Sequence, residues 1–283
     1  CVAEPTLKMA VGVNTSPYAG REGKFVTGRQ LLDRIKHELQ TNVSLRMEMD
    51  EANEYILSGR GELHLAIFIE TLRREGYELQ VGKPRVITKI IEGIEVEPVE
   101  ELTIDVATDK VGAVTSEVGR RKGIMLVQTE NTDGSTRLMF EITTRGLLGL
   151  RNQLLTISRG TAVMHSTWLR YDPVGSAIPK LRNGVLIASH SGQAVAYGLN
   201  IAQGRGLTFI PPQTPVYEGM IVGLNAREED IAINVTKEKK LTNMRSSTAD
   251  VPLIMTPPTT LSLEQALSFL EEDELLEVTP ANL

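Results

Sequence analysis

The chain has 283 residues, 41% of them hydrophobic, and carries 30 Lys and Arg against 36 Asp and Glu, a net charge of −6. That length allows two to three domains with sizeable cores, no apolar run nears the roughly 18 residues of a membrane span, and no secretory signal is present. A single cysteine, Cys1, excludes an internal disulfide framework and fits a reducing cytoplasm.

Leu7, Met9 and Val11 alternate with small or polar residues and predict a strand. Thr27 and Gln30 form a capping box ahead of Leu32, Ile35 and Leu39, which predicts a helix. Leu45, Met47 and Met49 alternate again, a strand over 54–58 follows, and Arg60-Gly61-Glu62-Leu63-His64-Leu65 opens a helix with Leu65, Ile69 and Leu72 on one face. A strand over 77–81 closes the set. The order is strand, helix, strand, strand, helix, strand.

That order then repeats. Leu102, Ile104 and Val106 alternate; Val111, Val114 and Val118 have helical spacing; strands over 124–128 and 137–142 flank the turn Asn131-Thr132-Asp133-Gly134. Arg145-Gly146-Leu147-Leu148-Gly149-Leu150 opens the second copy of the repeated helix, with Leu150, Leu154 and Ile157 on its face, and a strand over 161–170 follows. Both repeated helices close on a glycine, Gly76 and Gly160. This is the β-α-β-β-α-β arrangement of ferredoxin-like domains, with both helices on one face of an antiparallel sheet.

Past Pro173 the chain turns rich in Gly, Val, Ile and Thr. Short apolar runs at 185–187, 195–197, 220–222 and 231–235 predict a small barrel or curled sheet. Ser262 caps a short helix that presents Leu263, Leu267 and Leu270. The fold class is therefore α+β: two ferredoxin-like domains over 1–92 and 93–174, then a mainly β domain with a short helix over 175–283. Boundaries are expected in the acidic stretch Glu92 to Glu101 and at Tyr171-Asp172-Pro173.

The acidic balance is uneven. The last 38 residues hold seven acids and no base, which leaves residues 1–245 with 30 bases and 29 acids, a net +1. Within them Lys237, Lys239, Lys240 and Arg245 form a basic cluster among Asn243, Ser246 and Ser247, and such patches supply phosphate contacts whatever the net charge. A second basic group, Arg120, Arg121 and Lys122, ends the helix over 111–118.

Enzymatic chemistry is poorly represented. His37, His64, His165 and His190 are scattered without metal-ligand spacing. Ser189 and His190 are adjacent, and neighbouring side chains on a strand point to opposite faces, so they are not expected to meet as nucleophile and base. Gly20-Arg21-Glu22-Gly23-Lys24 has two residues between its glycines and Phe25 after the lysine, where a phosphate loop needs four and Ser or Thr. A flexible turn is expected there.

Ser58-Gly59-Arg60-Gly61-Glu62-Leu63-His64-Leu65 resembles the third domain of elongation-factor-G-like translational GTPases, and Arg120-Arg121-Lys122-Gly123-Ile124 is similar to their fifth. The absence of a fourth domain between them, and the run Val235-Thr236-Lys237-Glu238-Lys239-Lys240-Leu241-Thr242-Asn243-Met244-Arg245-Ser246-Ser247, resemble the BipA/TypA family of ribosome-associated GTPases. The resemblance covers essentially the whole chain.

It implies a monomeric cytoplasmic factor that binds 50S and 70S ribosomes and acts in large-subunit assembly and in stress or cold adaptation. GTP and Mg2+ would be held by an N-terminal domain that this chain lacks, so no catalytic residue, metal or cofactor is expected here. The chain is then expected to be a fragment, with its natural ends beyond Cys1 and Leu283. The implied contacts are rRNA and the tRNA acceptor region at the two basic groups, including Asn243, Ser246 and Ser247, and the GTPase domain at Arg60, Gly61 and Glu62.

Two other readings share the fold. A stand-alone RNA-recognition module would stack bases on sheet aromatics, and aromatics are only 4% here. A tandem small-molecule regulatory module would respond to metabolites in a thermal-shift assay rather than bind ribosomes in a salt-dependent way.

Overall fold

The computed structural model describes residues 4–52, 54–240 and 254–283. The chain divides into two compact units, residues 1–179 with 262–283, and residues 180–261.

In the first unit, β1 (Leu7–Gly12), α1 (Gly28–Thr41), β2 (Arg46–Met49), β3 (Tyr55–Gly59), α2 (Glu62–Arg74) and β4 (Leu79–Gly82) follow the predicted order. The strands lie as β4-β1-β3-β2, all neighbours antiparallel. Thr27 and Gln30 make the expected capping box on α1. Leu65, Ile69 and Leu72 are fully buried with Leu31, Ile35, Leu7, Met9 and Val11, and each buried aliphatic side chain contributes about 1.5–3 kcal/mol.

Short strands β5 (Arg85–Val86) and β6 (Lys89–Ile91) lead to β7 (Ile94–Ala107), then α3 (Val111–Arg120), β8 (Ile124–Glu130), β9 (Ser135–Thr143), α4 (Thr144–Leu147), α5 (Leu150–Ile157) and β10 (Val163–Pro173). The order β10-β7-β9-β8 repeats that of the first sheet. Two expectations change here. The acidic stretch from Glu92 to Glu101 is no linker, because β7 runs through it from Ile94 with Val96, Glu97 and Val99 buried; the change from the first sheet to the second falls just before it, between β5 and β6. The second repeated helix is broken into α4 and α5 at Gly149, whose φ of 76° lies in the left-handed region that favours glycine. Both helix-stopping glycines, Gly76 and Gly160, also have positive φ.

The second unit holds β11 (Val185–Ala188), β12 (Gly192–Gln193), α6 (Ala196–Gln203), β13 (Gly206–Thr208), β14 (Pro215–Val216), β15 (Ile221–Asn225) and β16 (Ile231–Ile233). Its sheet runs β13-β15-β11-β16, the last pair parallel, beside a small β12-β14 ladder. The apolar run 195–197 begins a helix rather than a strand: Leu199 and Ala202 are buried on α6 at a three-residue spacing, which a helix puts on one face.

The chain then leaves this unit. Ser262 caps α7 (Leu263–Phe269) with Gln265 in a second capping box, and β17 (Leu275–Val278) pairs antiparallel with β4. Leu263, Leu267 and Val278 enter the core of the first ferredoxin-like half. The expected continuous domain over 175–283 is thus amended: its last 22 residues, 262–283, extend the first sheet. The acidic tail settles on donors of that half. Glu271 meets Lys83 at 3.5 Å, Glu272 meets Arg85 at 2.5 Å, and Asn14 donates to Glu277 at 3.1 Å.

Candidate functional site

Lys237, Lys239 and Lys240 are exposed just beyond β16. The base from which they project is held firmly. Asn234 Oδ1 accepts from the Thr236 N–H (3.0 Å) and hydroxyl (2.6 Å), Val235 is buried, and the Val235 carbonyl accepts from the Val195 N–H at 3.0 Å. Gly198 on α6 is required for that approach, since a Cβ there would lie 2.3 Å from the Val235 carbonyl oxygen. The three exposed cations thus follow directly on a segment that is held in place as far as Thr236. Asn243, Arg245, Ser246 and Ser247 lie outside the described residues.

The second basic group divides. Arg120 and Lys122 are exposed, Lys122 with a φ of 64°. Arg121 is buried, so its expected role against RNA is corrected. Its Nε donates to Glu117 at 3.0 Å and its Nη1 to the carbonyls of Gly146 (3.1 Å) and Leu148. Burial pulls its guanidinium below the usual range and the Glu117 carboxylate pushes it back, leaving the arginine charged.

The third group also divides. Arg60 is exposed. Gly61 is extended (φ −178°, ψ 173°), and a Cβ there would touch nothing within 4 Å, so the fold makes no demand for glycine at this helix start. Glu62 turns inward. Its Oε2 accepts from the Gly149 N–H at 3.0 Å and its Oε1 from the Ser268 hydroxyl at 2.9 Å. Burial pushes its carboxyl above the usual range, and these two donors pull it partly back. The expectation of a carboxylate facing outward to another domain is corrected accordingly.

His64 Nδ1 accepts from the Arg60 N–H at 3.3 Å, leaving Nε2 to donate to Asn42 Oδ1 at 3.3 Å. Burial and Arg60 hold its pKa below the ordinary value. It braces the turn before α2.

Two sequence readings of local geometry were incomplete. The Gly20 to Lys24 turn is pinned, because the buried Glu78 carboxylate accepts from the N–H groups of Gly20 (2.5 Å), Glu22 (3.4 Å) and Gly23 (3.3 Å). It is an anion nest whose anion belongs to the chain itself. Ser189 Oγ and His190 Nδ1 do meet, at 2.8 Å, because both lie just past the end of β11, where strand alternation no longer holds. Among the described residues no carboxylate orients the other ring nitrogen of His190, and no cluster of three metal-ligating side chains occurs.

Comparison with known proteins agrees with this architecture. Residues 95–182 match the elongation factor G C-terminus and residues 183–283 the TypA/BipA C-terminal domain. The chain thus combines an elongation-factor-G-like second ferredoxin half with a segment that matches the TypA/BipA C-terminal domain. Over its full length it is 47% identical to the large ribosomal subunit assembly factor BipA of Synechocystis sp. and 45% identical to those of Bacillus subtilis and Escherichia coli K12. It belongs to the BipA/TypA family. The chain spans 46–47% of the length of these relatives.

Proposed function

We propose that this chain is the ribosome-binding half of a cytoplasmic, GTP-hydrolysing factor for assembly of the large ribosomal subunit, with GTP and Mg2+ held outside it. Identity of 45–47% over the whole chain to relatives named as such assembly factors carries the reading. The exposed lysines on their fixed support favour contact with rRNA and tRNA phosphates at Lys237, Lys239 and Lys240, extended by Asn243, Arg245, Ser246 and Ser247. Arg120 and Lys122 form a secondary contact. Arg60 and Gly61, which leave open space before α2, face the GTPase domain. Service in stress or cold adaptation and a monomeric state belong to the same proposal.

Co-sedimentation with 50S and 70S particles over a salt series tests it. Replacing Lys237, Lys239, Lys240 and Arg245 by Ala is expected to reduce the slope of log affinity against log salt by up to roughly 3–4 units. Unfolding midpoints should hardly move, since such surface changes cost no more than about 0.5 kcal/mol each. Unchanged affinity and slope in the folded variant would refute the assignment.

A further inference from the structure

The two copies of the repeated motif touch each other. Glu62, from the first, accepts a hydrogen bond from the N–H of Gly149, which is in the second, and another from Ser268 in α7. Asn152, on α5, donates to the same Ser268 hydroxyl at 3.2 Å. The 146–149 turn is gripped from both sides: Arg121 holds the carbonyls of Gly146 and Leu148 while Glu62 holds the N–H of Gly149. Leu148, between them, packs against the core of the first half.

Apolar packing of Leu148 would by itself hold the halves together without selecting one orientation, because such contacts are non-directional. A partly buried carboxylate must be matched by donors or charge; among the described residues Glu62 forms no salt bridge, the Arg121 guanidinium acts on it only at longer range, and its hydrogen bonds come from Gly149 and Ser268. Its two bonds are directional, and they reach segments 87 and 206 positions away in sequence. Gly149 lies in the elongation-factor-G-like stretch and Ser268 in the TypA/BipA stretch, so one side chain ties both to the first half.

We propose that Glu62 is a positioning residue, a clamp that sets the orientation of the second ferredoxin-like half and of the returning C-terminal helix relative to the first half.

The test uses the 283-residue chain with Cys1→Ser and spin labels on cysteines placed at the exposed turn residues Glu51 and Asn131, read by pulsed distance measurement. Glu62→Ala is expected to at least double the width of the distance distribution. Glu62→Gln, which keeps a carbonyl oxygen as acceptor, should fall between it and the parent. Ser268→Ala removes one hydroxyl and should broaden the distribution less; it carries the test if Glu62→Ala fails to fold. A purely stabilising role would lower the unfolding midpoint and leave the width alone. An unchanged width in folded Glu62→Ala, or in Ser268→Ala should the first not fold, overturns the proposal.

Discussion

Replacing Arg121 separates a structural cation from an RNA-binding one. Arg121→Ala takes from the Glu117 carboxylate, 11% exposed, its nearer partner at 3.0 Å and leaves it only Arg120 at 3.7 Å, and it leaves two carbonyls at the 146–149 turn without the donor they share. Breaking a buried pair from one side costs about 3–5 kcal/mol, and an orphaned buried acceptor about 1–3 kcal/mol, so a loss of at least about 3 kcal/mol is expected. With a urea m-value of about 1–3 kcal/mol/M, that moves the midpoint down by roughly 1–3 M. The single tryptophan, Trp168 on β10, belongs to the same half and reports its unfolding by fluorescence. Arg120→Ala removes a side chain that is 50% exposed and should change stability by less than about 0.5 kcal/mol. Pairing Arg121→Met with Glu117→Met is expected to recover the part due to the ion pair but not the part due to the carbonyls. Equal midpoints for Arg121→Ala and Arg120→Ala would refute this reasoning and return Arg121 to the surface.

Further outcomes follow from the same contacts. Glu78→Ala empties the nest formed by Gly20, Glu22 and Gly23, and should cost about 1–3 kcal/mol in urea unfolding; with Glu78 in place, calorimetry with GTP should show no binding heat, and micromolar affinity would contradict this. His64 has a native pKa below its unfolded value of about 6.5, so the unfolded state takes up a proton first as pH falls. Stability should accordingly be steady above about pH 6.5 and decline below it, and His64→Gln should reduce the slope; an unaltered slope would show that other groups set it.

The sequence by itself determined the local elements and their order. Alternation at Leu7, Met9 and Val11, helical spacing at Leu65, Ile69 and Leu72, the capping box at Thr27, the cap at Ser262, and the stops at Gly76 and Gly160 all appear where predicted. Each of these signals is read within a few residues, because backbone hydrogen bonding and side-chain periodicity are local. The tertiary structure decided what depends on a distant partner. Arg121 and Arg120 are indistinguishable as neighbours in a basic run, yet only one meets the carbonyls of 146 and 148. The inward turn of Glu62 required Gly149 and Ser268, the pinned Gly20 to Lys24 turn required Glu78, and the return of β17 required the open edge of β4. Such partners are chosen by packing across tens to hundreds of residues, and the pattern of a single segment carries no record of which distant group will lie opposite it.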